Sequence, residues 1–89
     1  MPKNEETHED LKNLLGYMGI EILVAINNGA KNFETIKLFS GLPISCINGR
    51  IPVLRDLGLI NQNNDEYFLT EKGIRFWKRL EADFGINML

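Results

Sequence analysis

The sequence predicts a mainly α fold with one small β-hairpin, an α+β domain, and three observations carry that reading. Apolar residues recur at three- and four-residue intervals in four separate segments, the period of a helix with one buried face. Two short strand-like runs, Leu59-Ile60 and Glu66-Tyr67-Phe68-Leu69, flank a polar stretch whose Asn-Asn-Asp suits a tight turn. Glycine or proline punctuates the junctions ahead of the hairpin, at Gly29, Gly41, Pro43 and Gly58.

In chain order, residues 1–7 are polar without periodicity and are expected to form a flexible arm ahead of a single domain over 8–89. From His8 onward Leu11, Leu14, Leu15, Met18 and Ile22 mark one face of a first helix. Gly16 and Gly19 fall inside that run at a cost of about 1 kcal/mol each relative to alanine, so a kink or a break into two helices is expected near Gly16. From Tyr17 to Asn28 the segment is apolar nearly all round and is expected to be buried on more than one side, until Asn28-Gly29 ends it. Asn32 is placed to cap a short second helix, with Glu34 in its first turn and Ile36 and either Phe39 or Leu38 facing inward; Gly41 stops it. After Gly41-Leu42-Pro43, the residues Ile44, Ile47, Ile51, Leu54 and Leu57 form the core stripe of a third helix over about Ser45 to Leu57, with Ser45 available as its cap. The hairpin covers about Leu59 to Leu69. Thr70 is a good N-cap for a last helix made amphipathic by Ile74, Phe76, Trp77, Leu80 and Phe84.

Composition removes several function classes. Eighty-nine residues leave room for one core, because either half alone would bury too little apolar surface. The longest apolar stretch, Ile20 to Ile26, is short and interrupted by Glu21, so no membrane span is expected. The acidic N-terminus lacks the basic and then apolar pattern of an export signal, which points to the cytoplasm. One cysteine, Cys46, and one histidine, His8, can build neither a disulfide nor a Cys/His metal cluster, so no metal and no cofactor are expected. With no nucleophile and base set and no phosphate-binding glycine loop, an enzyme is not expected either. The net charge of −2 argues against a nucleic-acid partner at first sight. The negative charge sits at the ends, however: from Lys31 to Arg79 eight basic residues face five acidic ones, a balance of +3 that permits phosphate contact.

The order helix, helix, tight turn, helix, hairpin, helix is that of a winged helix-turn-helix, and two stretches sharpen the likeness. Gly41-Leu-Pro-Ile-Ser-Cys-Ile-Asn-Gly-Arg-Ile-Pro-Val-Leu-Arg-Asp-Leu-Gly-Leu-Ile60 resembles the recognition-helix segment of the MarR, PadR and HxlR regulators, which runs through a helix into Gly-Leu-Ile or Gly-Leu-Val. Tyr67-Phe-Leu-Thr-Glu-Lys-Gly73 resembles the Tyr-x-Leu-Thr-x-x-Gly that closes the wing and opens the next helix in those families. Upstream, Ile22 to Phe33 looks like the HxlR-type stretch in which a first helix ends in glycine before a basic residue and Phe. The resemblance covers about residues 19–80. It implies a transcriptional regulator whose third helix lies in the major groove of double-stranded DNA, whose wing touches the backbone or minor groove, and whose terminal helices build a homodimer.

Projected with Ile47 and Leu54 inward, the third helix turns Ser45, Asn48, Gly49, Pro52 and Asp56 outward, with Arg50 and Arg55 at the flanks. Ser45 and Asn48 can hydrogen-bond base edges and Arg50 can reach phosphate or guanine. The candidate DNA contacts are therefore Ser45, Asn48, Gly49, Arg50 and Arg55 on the helix, with the amides of Asn63 and Asn64 on the wing. Pro52 removes a backbone donor and clashes with the carbonyl of Asn48, so a kink is expected there. The wing carries no Lys or Arg, although family wings commonly do. Apolar surface at both ends of the chain, represented by Leu11, Leu15, Trp77 and Phe84 and continued by Ile86, Met88 and Leu89, is expected to form the dimer interface. Cys46 reads as a small residue at a helix start, the alternative being the lone redox cysteine of some HxlR-type regulators. Trp77, Phe76 and Phe84 read as core or interface ahead of a ligand cavity, and His8 as a solvated helix start. The competing function is a winged helix that binds protein and not DNA. The acidic ends, the uncharged wing and Pro52 favour that reading; the complete recognition segment and the basic middle oppose it.

Overall fold

The computed structural model describes residues 7–84, with four helices and one two-stranded antiparallel sheet in the order expected. The first six residues of the expected arm lie outside the described residues. Thr7, assigned to that arm, instead caps helix α1 (His8–Asn27): its hydroxyl accepts from the Asp10 N–H at 3.0 Å while its own N–H donates to the Asp10 carboxylate at 3.1 Å. The α1 backbone leaves the helical region at Gly16, where φ is 66° and ψ is −177°. A side chain there would cost about 1–3 kcal/mol, so the glycine is what lets the helix break. The break changes which residues reach the core. Leu14 and Met18, expected on the buried stripe, are exposed together with Tyr17, because one continuous helical phase does not hold across a kink. Beyond it Gly19, Ile22, Leu23, Ala25 and Ile26 are buried and Ile20 and Val24 half-buried, so this part is covered on more than one side as expected.

Helix α2 (Phe33–Ser40) starts from the expected cap: Asn32 Oδ1 accepts from the Thr35 N–H at 2.9 Å and Thr35 Oγ1 accepts from the Asn32 N–H at 3.1 Å. Ile36 is fully buried, but neither Leu38 nor Phe39 faces inward as expected. Two turns of helix offer one short inner face, and Ile36 with the half-buried Phe33 fills it. Helix α3 (Ile44–Asp56) follows the turn and buries Ile47, Ile51 and Leu54 against α1 and α2. Ser45 does not cap it. The N-cap is Pro43, with no side-chain hydrogen bond, and Ser45 lies exposed within the first turn. The helix runs uninterrupted through Pro52; Pro52 and Asn48 are both exposed, so water can replace the donor that the Asn48 carbonyl lacks.

Strands β1 (Ile60–Asn63) and β2 (Glu66–Leu69) pair with Ile60 opposite Leu69 and Asn63 opposite Glu66. The first strand therefore continues three residues further into the polar stretch than its apolar run indicated, and Asn64-Asp65 remain as a two-residue turn. Asn64 adopts φ 57°, the left-handed region that asparagine tolerates. Tyr67 is buried and donates its N–H to the Lys31 carbonyl at 2.7 Å, which ties the hairpin to the entrance of α2.

Helix α4 (Glu71–Phe84) is stitched to the end of α3 by the residues of the Leu-Thr-x-x-Gly motif. Thr70 Oγ1 donates to the Gly58 carbonyl at 2.6 Å and accepts from the Gly73 N–H at 3.0 Å, while the Thr70 N–H donates to the Leu59 carbonyl at 3.0 Å. Lys72 Nζ donates to the Leu57 carbonyl at 2.7 Å. Gly73 sits so close to the same chain segment that a Cβ would run into the Leu59 carbonyl, which accounts for the glycine of the motif. Phe76, Trp77 and Leu80 then complete a core whose buried side chains, among the described residues, are all apolar. His8 is not a solvated helix start. Its ring lies 5.0 Å from that of Phe76, and its Nε2 donates to Asp83 at 2.9 Å, with the side chain only 11% exposed.

Candidate nucleic-acid interface

A helix that buries Ile47, Ile51 and Leu54 must turn the positions between them outward, and α3 does so along its whole length. Ser45, Asn48, Gly49, Pro52, Arg55 and Asp56 are exposed and Arg50 is half-buried. Steps of three and four join Ser45, Asn48, Gly49, Pro52, Arg55 and Asp56 as one strip, in order a hydroxyl, an amide, a position without a side chain, a pyrrolidine ring, a guanidinium and a carboxylate, with Arg50 off to one flank. At Gly49 an added Cβ would meet nothing within 4 Å, so the space above it is open. The glycine leaves the middle of the strip open to whatever approaches from outside.

The hairpin stands beside this strip and is hydrogen-bonded to it. Arg55 Nη1 donates to Gln62 Oε1 at 3.1 Å, and Gln62 Nε2 donates to the Asn64 carbonyl at 3.0 Å. Of the wing candidates, Asn63 and Asn64 are exposed at the hairpin tip. Gln62 was not singled out from the sequence. It meets Arg55 across a helix-to-strand corner, a junction with no periodicity to project, so only the folded chain reveals the pair.

The electrostatics of the face are mixed. Arg50 and Arg55 provide positive charge on α3, and Lys31 and Lys37 are exposed at and along α2. Between the start of α2 and the wing lies a shallow groove lined by Asn32, Phe33, Glu34, Gln62, Asp65 and Tyr67, with two carboxylates and no cation. Phosphate is repelled from that groove and favoured near α3.

Away from α3 and the wing, three expected interface residues, on α1 and α4, prove to be core. Leu11 is 5%, Leu15 0% and Trp77 7% exposed within the single chain, so these side chains have almost no surface to offer a second copy. The side chain of Phe84 and residues 85–89 lie outside the described residues. The apolar side chains of α1 that remain open are Leu14, Tyr17 and Met18, beside the Gly16 kink. Nearby, Asp83 receives hydrogen bonds from His8 and Arg79. Desolvation raises the pKa of this carboxyl, but the two hydrogen bonds and the positive charges of Arg79 and His8 outweigh it and hold the group below the ordinary carboxylate range. Cys46 is half-buried in the first turn of α3, and among the described residues no three His, Cys, Asp or Glu side chains are placed to hold a metal ion. No helix among the described residues is long and apolar enough to cross a membrane.

A family model described as winged helix-turn-helix matches residues 18–85, from just past the Gly16 kink through the whole of α4. Neither a curated protein nor a solved structure matches the chain. Four helices, a tight turn between α2 and α3, a two-stranded wing behind α3 and a family match over most of the length lead to one conclusion: the chain belongs to the winged helix-turn-helix family, whose fold suggests DNA binding.

Proposed function

We propose that the chain is a transcriptional regulator of the MarR, PadR or HxlR type that binds double-stranded DNA sequence-specifically as a homodimer in the cytoplasm. The observation that carries this reading is the exposed strip of α3, in which Ser45 and Asn48 offer groups able to read base edges, with the half-buried Arg50 at its flank, on a helix backed by Ile47, Ile51 and Leu54. A helix of this diameter fits the major groove, and a wing fixed beside it by Gln62 falls against the flanking backbone. Dimerisation supplies a second such helix for the other half of a pseudo-palindromic site. Leu14, Tyr17 and Met18 provide apolar surface for that contact, in place of the buried Leu11, Leu15 and Trp77.

Selection from a randomised duplex pool supplies a binding site on which variants can be measured. Asn48→Ala and Arg50→Ala are each expected to weaken specific binding by about 1–3 kcal/mol while leaving thermal stability nearly unchanged. Equal affinity of the wild type and both variants refutes the recognition role of α3. A second reading, a winged helix that binds protein, is favoured by the wing itself, whose charged residues Asp65 and Glu66 are both acidic. Absence of any salt-dependent affinity for duplex DNA would select it.

A further inference from the structure

The wing lacks a cation of its own, yet one is attached to it. From Ile60 to Leu69 the only charged side chains are Asp65 and Glu66, so a hairpin acting alone would meet a phosphate backbone with net repulsion. Arg55, however, leaves the exposed strip of α3 and donates from Nη1 to Oε1 of the exposed Gln62 of β1 at 3.1 Å. Gln62 is in turn fixed by its own amide, which donates to the Asn64 carbonyl at the hairpin tip at 3.0 Å.

We propose that Gln62 is a positioning residue that holds Arg55 of α3 against the wing, so that the guanidinium serves as the wing's missing contact to the phosphate backbone. Gln62 suits that task because a neutral amide oxygen fixes one N–H of the fork without cancelling its charge, as a carboxylate would. The remaining donors of the guanidinium are left for phosphate oxygens. Holding a long side chain in place before binding also lowers the ordering cost when the contact forms. The Asn64 turn is part of the device, since its left-handed φ of 57° presents the carbonyl that Gln62 bonds. This inference rests on the DNA-binding reading, and it assigns the phosphate contact of the wing to a residue of α3.

The test is a fluorescence-anisotropy titration of a labelled mixed-sequence duplex with full-length protein over a series of NaCl concentrations. Arg55→Ala is expected to lower the slope of log affinity against log salt by about 1, the loss of one phosphate contact. Gln62→Leu, of similar size, is expected to weaken binding several-fold, and the double variant should bind no more weakly than Arg55→Ala alone. Gln62→Glu keeps a partner for Arg55 but neutralises it, so its slope should fall as in Arg55→Ala. All three side-chain changes are at exposed positions, and thermal unfolding checks that the fold is kept. Additive effects of Arg55→Ala and Gln62→Leu, or an unchanged slope in Arg55→Ala, would overturn the pin while duplex binding by the wild type leaves the DNA reading standing. A wild type that binds no duplex at low salt overturns both.

Discussion

Helices α3 and α4 have nearly the same length, 13 and 14 residues, and are held in opposite ways. Helix α4 follows local rules: Thr70 caps it, Glu71 lies in its first turn, and Arg75 with Glu71 and Arg79 with Asp83 pair at four-residue spacing. Helix α3 breaks them. Its N-cap is a proline with no side-chain hydrogen bond, its first turn has no acidic residue, and Pro52 withholds one backbone donor. What holds α3 comes from elsewhere: the packing of Ile47, Ile51 and Leu54, and the donors of Thr70 and Lys72 that reach the carbonyls just beyond its end. A helix with weak local signals depends on packing for its stability, and the core and its neighbours make up the loss; on the proposed DNA-binding reading, this is the helix whose outer face is kept for the duplex.

That contrast can be broken, most strongly through the core. Leu54→Ala is expected to cost about 2–5 kcal/mol, because α3 has few other anchors. Urea unfolding measures this, and a loss below that of Thr70→Ala would reverse the comparison. Pro52→Ala sharpens the contrast from the other side: restoring the missing donor should stabilise the protein by up to about 3 kcal/mol, read as a raised melting temperature. A lowered melting temperature would mean that proline helps to seat α3. On α4, Thr70→Ala removes both the cap of Gly73 and the bond to the Gly58 carbonyl and should cost about 1–2 kcal/mol, most of it recovered by Thr70→Ser, which keeps the hydroxyl. Equal losses in both variants would assign the effect to the threonine methyl.

The smallest effect belongs to the far end of α4, where Asp83 joins His8 of α1 and Arg79. Because its pKa is lowered in the folded chain, the carboxylate stabilises the fold above the ordinary carboxylate range, and that contribution is lost as the pH falls through the folded value. Solvent exposure keeps it small. The gap in melting temperature between wild type and Asp83→Asn should therefore close as the solution is acidified from neutral pH. A gap that persists in strong acid would assign it to packing.

Much of the architecture was legible in the residues. The hydrophobic period located four helices, Asn32 and Thr70 marked two N-termini, Gly16 marked the kink, and the Asn-Asn-Asp within Asn61 to Asp65 marked the hairpin turn, because each depends on interactions within a few positions. The outward face of α3 was legible for the same reason: once Ile47 and Leu54 point inward, the positions of Ser45, Asn48, Gly49 and Pro52 are determined by helical geometry. The readings that failed concern what lies opposite each side chain. Leu11 and Leu15 read as interface but are core, as is Trp77, read as core or interface; one of Leu38 and Phe39 was expected in the core but both are exposed, and Ser45 read as a cap but leaves that position to Pro43.

The sequence by itself determined the order of elements, the wing, and the polar chemistry of the face presented by α3, since these follow from local periodicity and turn chemistry. Tertiary structure alone decided that Gly16 shifts Leu14 and Met18 out to solvent and that Gly73 lies against Leu59. It alone decided that His8 reaches Asp83 and that Arg55 is carried onto the wing by Gln62. Each of these depends on the distance between segments that local rules leave unconstrained, and that distance is set only when the apolar faces close on one another.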